Sequence, residues 1–384
     1  MDFCEDVRYV GVNDFKVDLF EGQFGVPDGM SYNSYVITDE KAAVMDSVEA
    51  GFCEEWLENI KKELSGKEPN YLVVSHMEPD HSGSIVRFMA EYPAAVIVAS
   101  AKAFAFMKQF YGQEYEDRRI VSAEGQELRL GKHVLKFVAA SMVHWPEVMM
   151  SYDETSKVFF SADAFGKFGA VRQDAGEWDC EARRYYFGIV GKYGAMVQAL
   201  LKKLSGLEIR AICPLHGPVL SEDIGRYVGL YDTWSSYRPE EKGVLIAFTS
   251  VYGNTEKAVK VLADELKSRG IKTIVTDLAR DDMAEAVEDA FRYDRIVLAT
   301  TTYNGGIFPA MHSFIEALTE RGYQNRTIAM IENGTWAAQA AKGMRSLLEN
   351  SKNITFLEPV VSLKSALTEN DVLTIKKLAD ALNV

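Results

Sequence analysis

The sequence predicts an α/β protein of two unlike halves: an αββα sandwich followed by a doubly wound, five-stranded parallel sheet. Three observations carry this. Residues 1–240 hold many short, β-branched or alternating segments, separated by turn residues and interrupted by a few helices. Residues 241–384 hold a regular strand–helix alternation, repeated five times. Between the two, residues 231–242 turn polar and charged around Pro239, as a linker does, and no internal repeat relates the halves.

In the first half, strands are expected at 35–38, 42–46, 71–74, 95–99, 134–139 and 158–161, and helices at 54–64, 101–111 and 181–204. In the second, the order is strand 244–248, helix 255–269, strand 273–276, helix 283–291, strand 295–299, helix 309–319, strand 327–331, helix 337–350, strand 354–356 and helix 369–382. The 384 residues, 47% hydrophobic and 26% charged, suffice for two or three proper cores and exclude a disordered or collagen-like chain.

A net charge of −14 argues against nucleic acid and against an anionic membrane surface as partners. Four scattered cysteines (Cys4, Cys53, Cys180, Cys213) contain no C-x-x-C pair and form no disulfide framework. No apolar run approaches the ~18–20 residues of a membrane span, and residues 1–6 lack the basic and apolar regions of a signal peptide. A soluble, cytoplasmic protein is expected.

The sharpest local signal is the run Ser75-His76-Met77-Glu78-Pro79-Asp80-His81-Ser82-Gly83, directly after an apolar strand. His76, Glu78, Asp80 and His81 place four potential metal ligands within six residues at a strand's carboxyl end, where α/β sites form. Positions 76, 78 and 80 would point the same way on extended chain. His144, Asp163 and His216 follow later, each beside a strand or turn, so four of only six histidines fall in these segments. His133 and His312 are expected to have no catalytic role.

This pattern, H-x-[HE]-x-D-H and then a separate His, Asp and His, resembles the metallo-β-lactamase fold. Hydrolytic members carry histidine at the second position and usually bind zinc, whereas this chain has Glu78. Three carboxylates with three histidines make a harder ligand set, better suited to iron. The resemblance implies a metal pair held by His76, Glu78, Asp80, His144, Asp163 and His216, with Asp163 bridging. His81 either ligates the second ion or stands behind the ligands.

In the second half, the expected strand 244–248 runs into Thr249-Ser250-Val251-Tyr252-Gly253-Asn254-Thr255 and a helix. Hydroxyls, a glycine and free N–H groups at a helix N-terminus form an anion cradle. No Gly-Lys-Ser/Thr follows, so it is not a Walker loop; it resembles the flavodoxin phosphate loop. Thr301, Thr302, Tyr303, Asn304 and Gly305 after the third strand, and Asn333, Gly334, Thr335 and Trp336 after the fourth, flank the switch point where a flavin mononucleotide (FMN) ring would lie. Tyr303 and Trp336 offer it walls.

A metallo-β-lactamase-like domain (1–240) followed by a flavodoxin-like domain (241–384) resembles the flavodiiron proteins. The resemblance implies an oxidoreductase that reduces dioxygen to water, nitric oxide to nitrous oxide, or both, with FMN and two non-haem irons. Two ferrous ions and one reduced flavin hold the four electrons dioxygen needs. The tail lacks the paired cysteines of a fused rubredoxin, so an external donor is expected, rubredoxin or a reduced deazaflavin. A short linker between two cofactor domains implies a head-to-tail dimer, alone or as a dimer of dimers, in which the flavin of one chain serves the metals of the other. Two departures stand out: Glu21 where many relatives have histidine, and Tyr193 near the region where many have phenylalanine. Tyr193 is either close to the irons or a packed helix residue. The rival reading is a zinc-dependent hydrolase of the β-lactamase-like fold carrying a flavodoxin electron carrier.

Overall fold

The computed structural model describes residues 4–171 and 178–383; the first three residues of the N-terminal stretch read above lie outside them. The chain divides into two compact units, Met1–Asp232 and Thr233–Val384.

In the first unit two sheets face each other. One has six strands in the order Val7–Tyr9, Tyr35–Ile37, Ala43–Met45, Tyr71–Val73, Val96–Ser100, Arg119–Ser122. The other has five, in the order Glu127–Arg129, Val134–Ala139, Met149–Asp153, Val158–Phe160, Ala211–Cys213. Their facing side chains, among them Val7, Ile37, Met45, Val73 and Val98 from one sheet and Leu135, Phe137, Val158 and Phe160 from the other, form one dry cluster. Helices on the outer faces complete the αββα sandwich. The helix Ala101–Tyr111 occupies the bounds its sequence predicts because both ends are punctuated. Ser100 Oγ accepts from Ala103 N–H at 3.1 Å, and Gly112 leaves the helix at φ +73°.

The expected helix at 181–204 is broken. Helix Trp178–Tyr185 passes into a π-helical turn, Tyr186–Val190, then a 3₁₀ turn, Gly191–Tyr193, before helix Gly194–Leu204 resumes. Glycine permits this: a Cβ on Gly188 would lie 3.0 Å from the Phe24 ring. The expected linker is also mostly structured. Helix Ile224–Ser235 takes its start, with Tyr231 and Trp234 buried, and strand Glu241–Phe248 takes its end, which leaves 236–240 between regular elements. Two buried aromatics three residues apart outweigh the polar composition around them.

The second unit is a parallel sheet in the order Thr273–Asp277, Glu241–Phe248, Tyr293–Tyr303, Thr327–Asn333, with a fifth position split into Thr355–Phe356 and Val361–Leu363. Pro359 lies in the gap, where it cannot donate to a ladder. The order 2-1-3-4-5 puts the switch point between Glu241–Phe248 and Tyr293–Tyr303.

His133 is a structural histidine. It is buried, with Nδ1 2.7 Å from Asp153 Oδ2 and Nε2 3.2 Å from Asp6 Oδ2, which also pairs with Lys132 at 2.6 Å. Its backbone N–H donates to Asp39 Oδ2. The Asp153 hydrogen bond, aided by Asp6 and against burial, holds the imidazole above its ordinary 6.5. A raised folded-state value stabilises fully below the unfolded value and is lost as pH rises through the folded one. The urea midpoint should therefore fall as pH climbs past 6.5, and His133→Asn should flatten that fall. An equally steep decline in the variant would exonerate His133.

Candidate metal and flavin sites

The metal candidates sit on loops at the ends of buried strands, and neighbouring polar groups hold those loops. After strand Tyr71–Val73, Ser75 N–H donates to Asp46 Oδ1 at 2.6 Å, and Met149 N–H donates to the Ser75 carbonyl. His76 Nδ1 and Met77 N–H both meet Glu147 Oε1, at 2.7 and 2.9 Å. A one-turn helix, Pro79–Ser82, then begins with Glu78 at its N-cap. That turn corrects the extended-chain expectation for Asp80: helical geometry carries it away from His76 and Glu78, toward His81. Asn33 Nδ2 donates to the carbonyls of Pro214 and Gly217 and so fixes the turn bearing His216.

Two adjoining groups result. His76, Glu78, His144 and Asp163 bring one donor atom each within 4.8 Å of one another; Asp80, His81 and His216 do the same. In the first, His144 Nε2 lies 2.8 Å from Asp163 Oδ2 and 3.0 Å from Glu78 Oε2, and His76 Nε2 lies 3.2 Å from Glu78 Oε2. In the second, His81 Nε2 lies 2.9 Å from His216 Nε2 and 3.2 Å from Asp80 Oδ2. Asp163 reaches both: Oδ2 faces His144 and His76, while Oδ1 faces His81 at 3.3 Å and His216 at 3.9 Å.

The electrostatics fit a cation. Burial works against an ionised Asp163, yet His76, His144 and His81 hold it well below the carboxylate range. Burial likewise opposes a charged His144, but Asp163 and Glu78 push it up to about 9. Carboxylates that draw protons onto imidazoles this strongly favour a metal ion, whose binding would release those protons. The set has no thiolate and is rich in oxygen donors, which suits iron.

Three rings roof His216 edge-on: Phe20 at 5.2 Å, Tyr185 at 5.6 Å and Tyr32 at 6.1 Å between centroids. Tyr193 ends the 3₁₀ turn, half-buried. Of the rings on His216, Tyr185 carries a buried hydroxyl with no hydrogen-bond partner. Glu21 is solvent-exposed as a residue, but partial burial of its carboxyl and the charge of Glu78 push it up to about 7.

In the second unit a cavity of about 480 Å³ lies at the carboxyl ends of the parallel strands. Ser250, Val251, Tyr252, Asn254 and Thr255 line it from the first loop, Thr301 to Gly305 from the second, and Asn333 to Trp336 from the third. Ser250 Oγ, Thr255 Oγ1 and Thr301 Oγ1 are buried without a partner, three hydroxyls converging where a phosphate would accept from them. Gly253, at φ +80°, turns the chain into helix Asn254–Ser268.

Other predicted residues support the wall. Thr249 and Thr300 bond each other at 2.6 Å, and Thr302 Oγ1 accepts from Gln339 and Ala340 N–H, capping helix Ala340–Leu347. Asn333 clamps Ser365 through its N–H and carbonyl. The strand bearing Tyr303 runs on to a two-residue Asn304-Gly305 hairpin, both residues at positive φ.

Residues 30–217 match the family described as ODP family beta lactamase, and residues 245–361 match the flavodoxin domain. Nitric oxide reductase of Moorella thermoacetica is 28% identical over 92% of this chain and 91% of its own. The flavodiiron protein of Giardia intestinalis superposes with TM-score 0.88 at 25% identity, over 99% of this chain and 95% of that one. Rubredoxin oxygen:oxidoreductase of the anaerobe Desulfovibrio gigas superposes with TM-score 0.91 at 24% identity, over 100% and 97%. The chain belongs to the flavodiiron proteins.

As a flavodiiron protein it is an oxidoreductase whose cofactors are FMN and a non-haem diiron pair. Glu147, Tyr185, Gln339 and Ser365 were not legible as site residues in the sequence. Glu147 carried one usable signal, a carboxylate three residues after the candidate ligand His144. The others depend on which distant strands and turns adjoin.

Proposed function

We propose that this flavodiiron protein reduces dioxygen to water, nitric oxide to nitrous oxide, or both, at a diiron site served by FMN. The observation that carries the reading is one carboxylate, Asp163, set between two histidine–carboxylate groups in a chain that also builds a flavin cavity. When bound, the iron pair and the flavin supply the electrons and the charge stabilisation that such reductions need.

The chain's own groups divide the remaining work. His76, Glu78 and His144 would hold one iron, Asp80 and His216 the other with His81 beside them, and Asp163 would reach both. Phe20, Tyr32 and Tyr185 shield His216 from water. Burial and the charge of Asp163 keep the Tyr185 phenol well above its usual value, so it stays protonated and can donate to an oxygen or nitrogen species. Ser250, Thr255 and Thr301 would hold the FMN phosphate, and Tyr303 and Trp336 would flank the ring. The diiron domain spans 1–240 and the FMN domain 241–384.

Tyr252 and Trp336 are 90% and 94% exposed at the rim of the flavin cavity, which supports a head-to-tail dimer that covers them. No helix among the described residues is long and apolar enough to cross a membrane; a cytoplasmic enzyme with an external donor, rubredoxin or a reduced deazaflavin, fits the reading.

Anaerobic turnover with dioxygen and nitric oxide side by side, after iron reconstitution, tests it. Stoichiometric zinc with robust hydrolase activity would overturn it in favour of the hydrolase. For the flavin loop, Asn254→Glu with Thr255→Glu should repel the phosphate and give colourless protein that keeps its iron. Full flavin retention in that variant would place the cofactor elsewhere.

A further inference from the structure

The two metal groups are matched in residue type. Each has two imidazoles and one carboxylate of its own, and Asp163 faces both. The difference lies behind the histidines. His76 Nδ1 is 2.7 Å from Glu147 Oε1, and that oxygen also accepts from Met77 N–H at 2.9 Å. The second bond marks Oε1 as an acceptor, so the imidazole proton sits on Nδ1 and the Nε2 lone pair faces the group. Trp145 packs edge-on against the ring, centroids 5.2 Å apart, and opposes its rotation.

The second group has no such support. His216 Nδ1 donates to a neutral acceptor, the Ser31 carbonyl, at 2.6 Å. His81 Nδ1 is buried with no hydrogen-bond partner. Glu147 is itself buried, and its Oε2 has no partner, so no other donor to that oxygen draws charge away from the His76 contact. A carboxylate behind an imidazole raises its donor strength and fixes its tautomer, and the effect grows in a site that excludes water.

We propose that Glu147 makes the two metal positions inequivalent: it holds His76 as a stronger donor, so the metal beside His76, Glu78 and His144 keeps its ferric state at a lower potential than the metal beside Asp80, His81 and His216. Glu147 is a positioning residue, acting through His76. The proposal rests on the diiron reading.

The experiment is an anaerobic redox titration of iron-loaded protein, followed by electron paramagnetic resonance, with iron counted first. Glu147→Gln keeps the shape and an acceptor oxygen but removes the charge. With two irons bound, one of the two one-electron steps should move to higher potential while the other stays. Chelator competition should show one of the two irons held about 10–100-fold more weakly. Steps that are unmoved, or that move together, overturn the proposal. A second measurement does not depend on the variant folding: the half-reduced parent should show one localised ferric site in its Mössbauer spectrum. Coincident steps with two equivalent irons would overturn the proposal as well. A parent that binds no iron would instead overturn the diiron reading.

Discussion

Asp163→Ala is expected to give a yellow protein that holds no iron. Its turnover of dioxygen or nitric oxide should fall below roughly 1% of the parent, since a metal's charge stabilisation is worth several kcal/mol and each 1.36 kcal/mol is tenfold. Among the described residues the side chain is the one anion shared by both groups, with Oδ2 at 2.8 Å from His144 and Oδ1 at 3.3 Å from His81. Without it the nitrogens of His81 and His216, 2.9 Å apart, converge with less negative charge to hold a cation between them. The flavin should stay, because its cavity is lined entirely by residues 250–365 of the second unit. Iron by mass spectrometry and flavin absorbance, read on one sample, check this. Two irons with near-parental turnover would show that Asp163 does not link the metals.

A mixed dimer should regain activity that neither of its parents has. One chain carries His76→Ala and His144→Ala, keeping flavin and losing metal; the other carries Asn254→Glu and Thr255→Glu, keeping metal and losing flavin. Each homodimer should be inactive with the external donor. In a head-to-tail dimer the co-expressed pair retains one intact flavin–metal couple across the interface, so roughly half the parental rate per dimer is expected from its twofold symmetry. Transfer within a chain would leave every chain short of one cofactor. No recovery in a heterodimer verified to hold both iron and flavin would exclude the cross-chain route.

The candidate metal ligands were legible because their chemistry is local. His76, Glu78, Asp80 and His81 fall within six residues, and histidine is scarce enough in this chain for His144 and His216 to stand out. The flavin loops were legible because each follows an apolar run at the same end of a doubly wound sheet. The residues behind them were not. Glu147 reads as an ordinary acidic residue until the fold buries it under His76. Tyr185 and Tyr193 cannot be ranked from spacing, because the π-helical turn between them resets the helical phase on which any such ranking relies.

The sequence by itself determined the two α/β halves, the residue types of the candidate metal groups and the end of the second sheet that carries the candidate phosphate loop. These follow from hydrophobic period, local turn chemistry and the placement of polar groups after strands, all written within short windows. Only the tertiary structure decided how the ligands sort into two groups, that Asp163 reaches both, that Asp80 turns away from Glu78 on a one-turn helix, and which buried partners stand behind His76 and His216. The physical reason is separation along the chain. His76 meets Glu147 across 71 positions and His81 meets His216 across 135, and such contacts exist only once two sheets have packed and their loop ends adjoin.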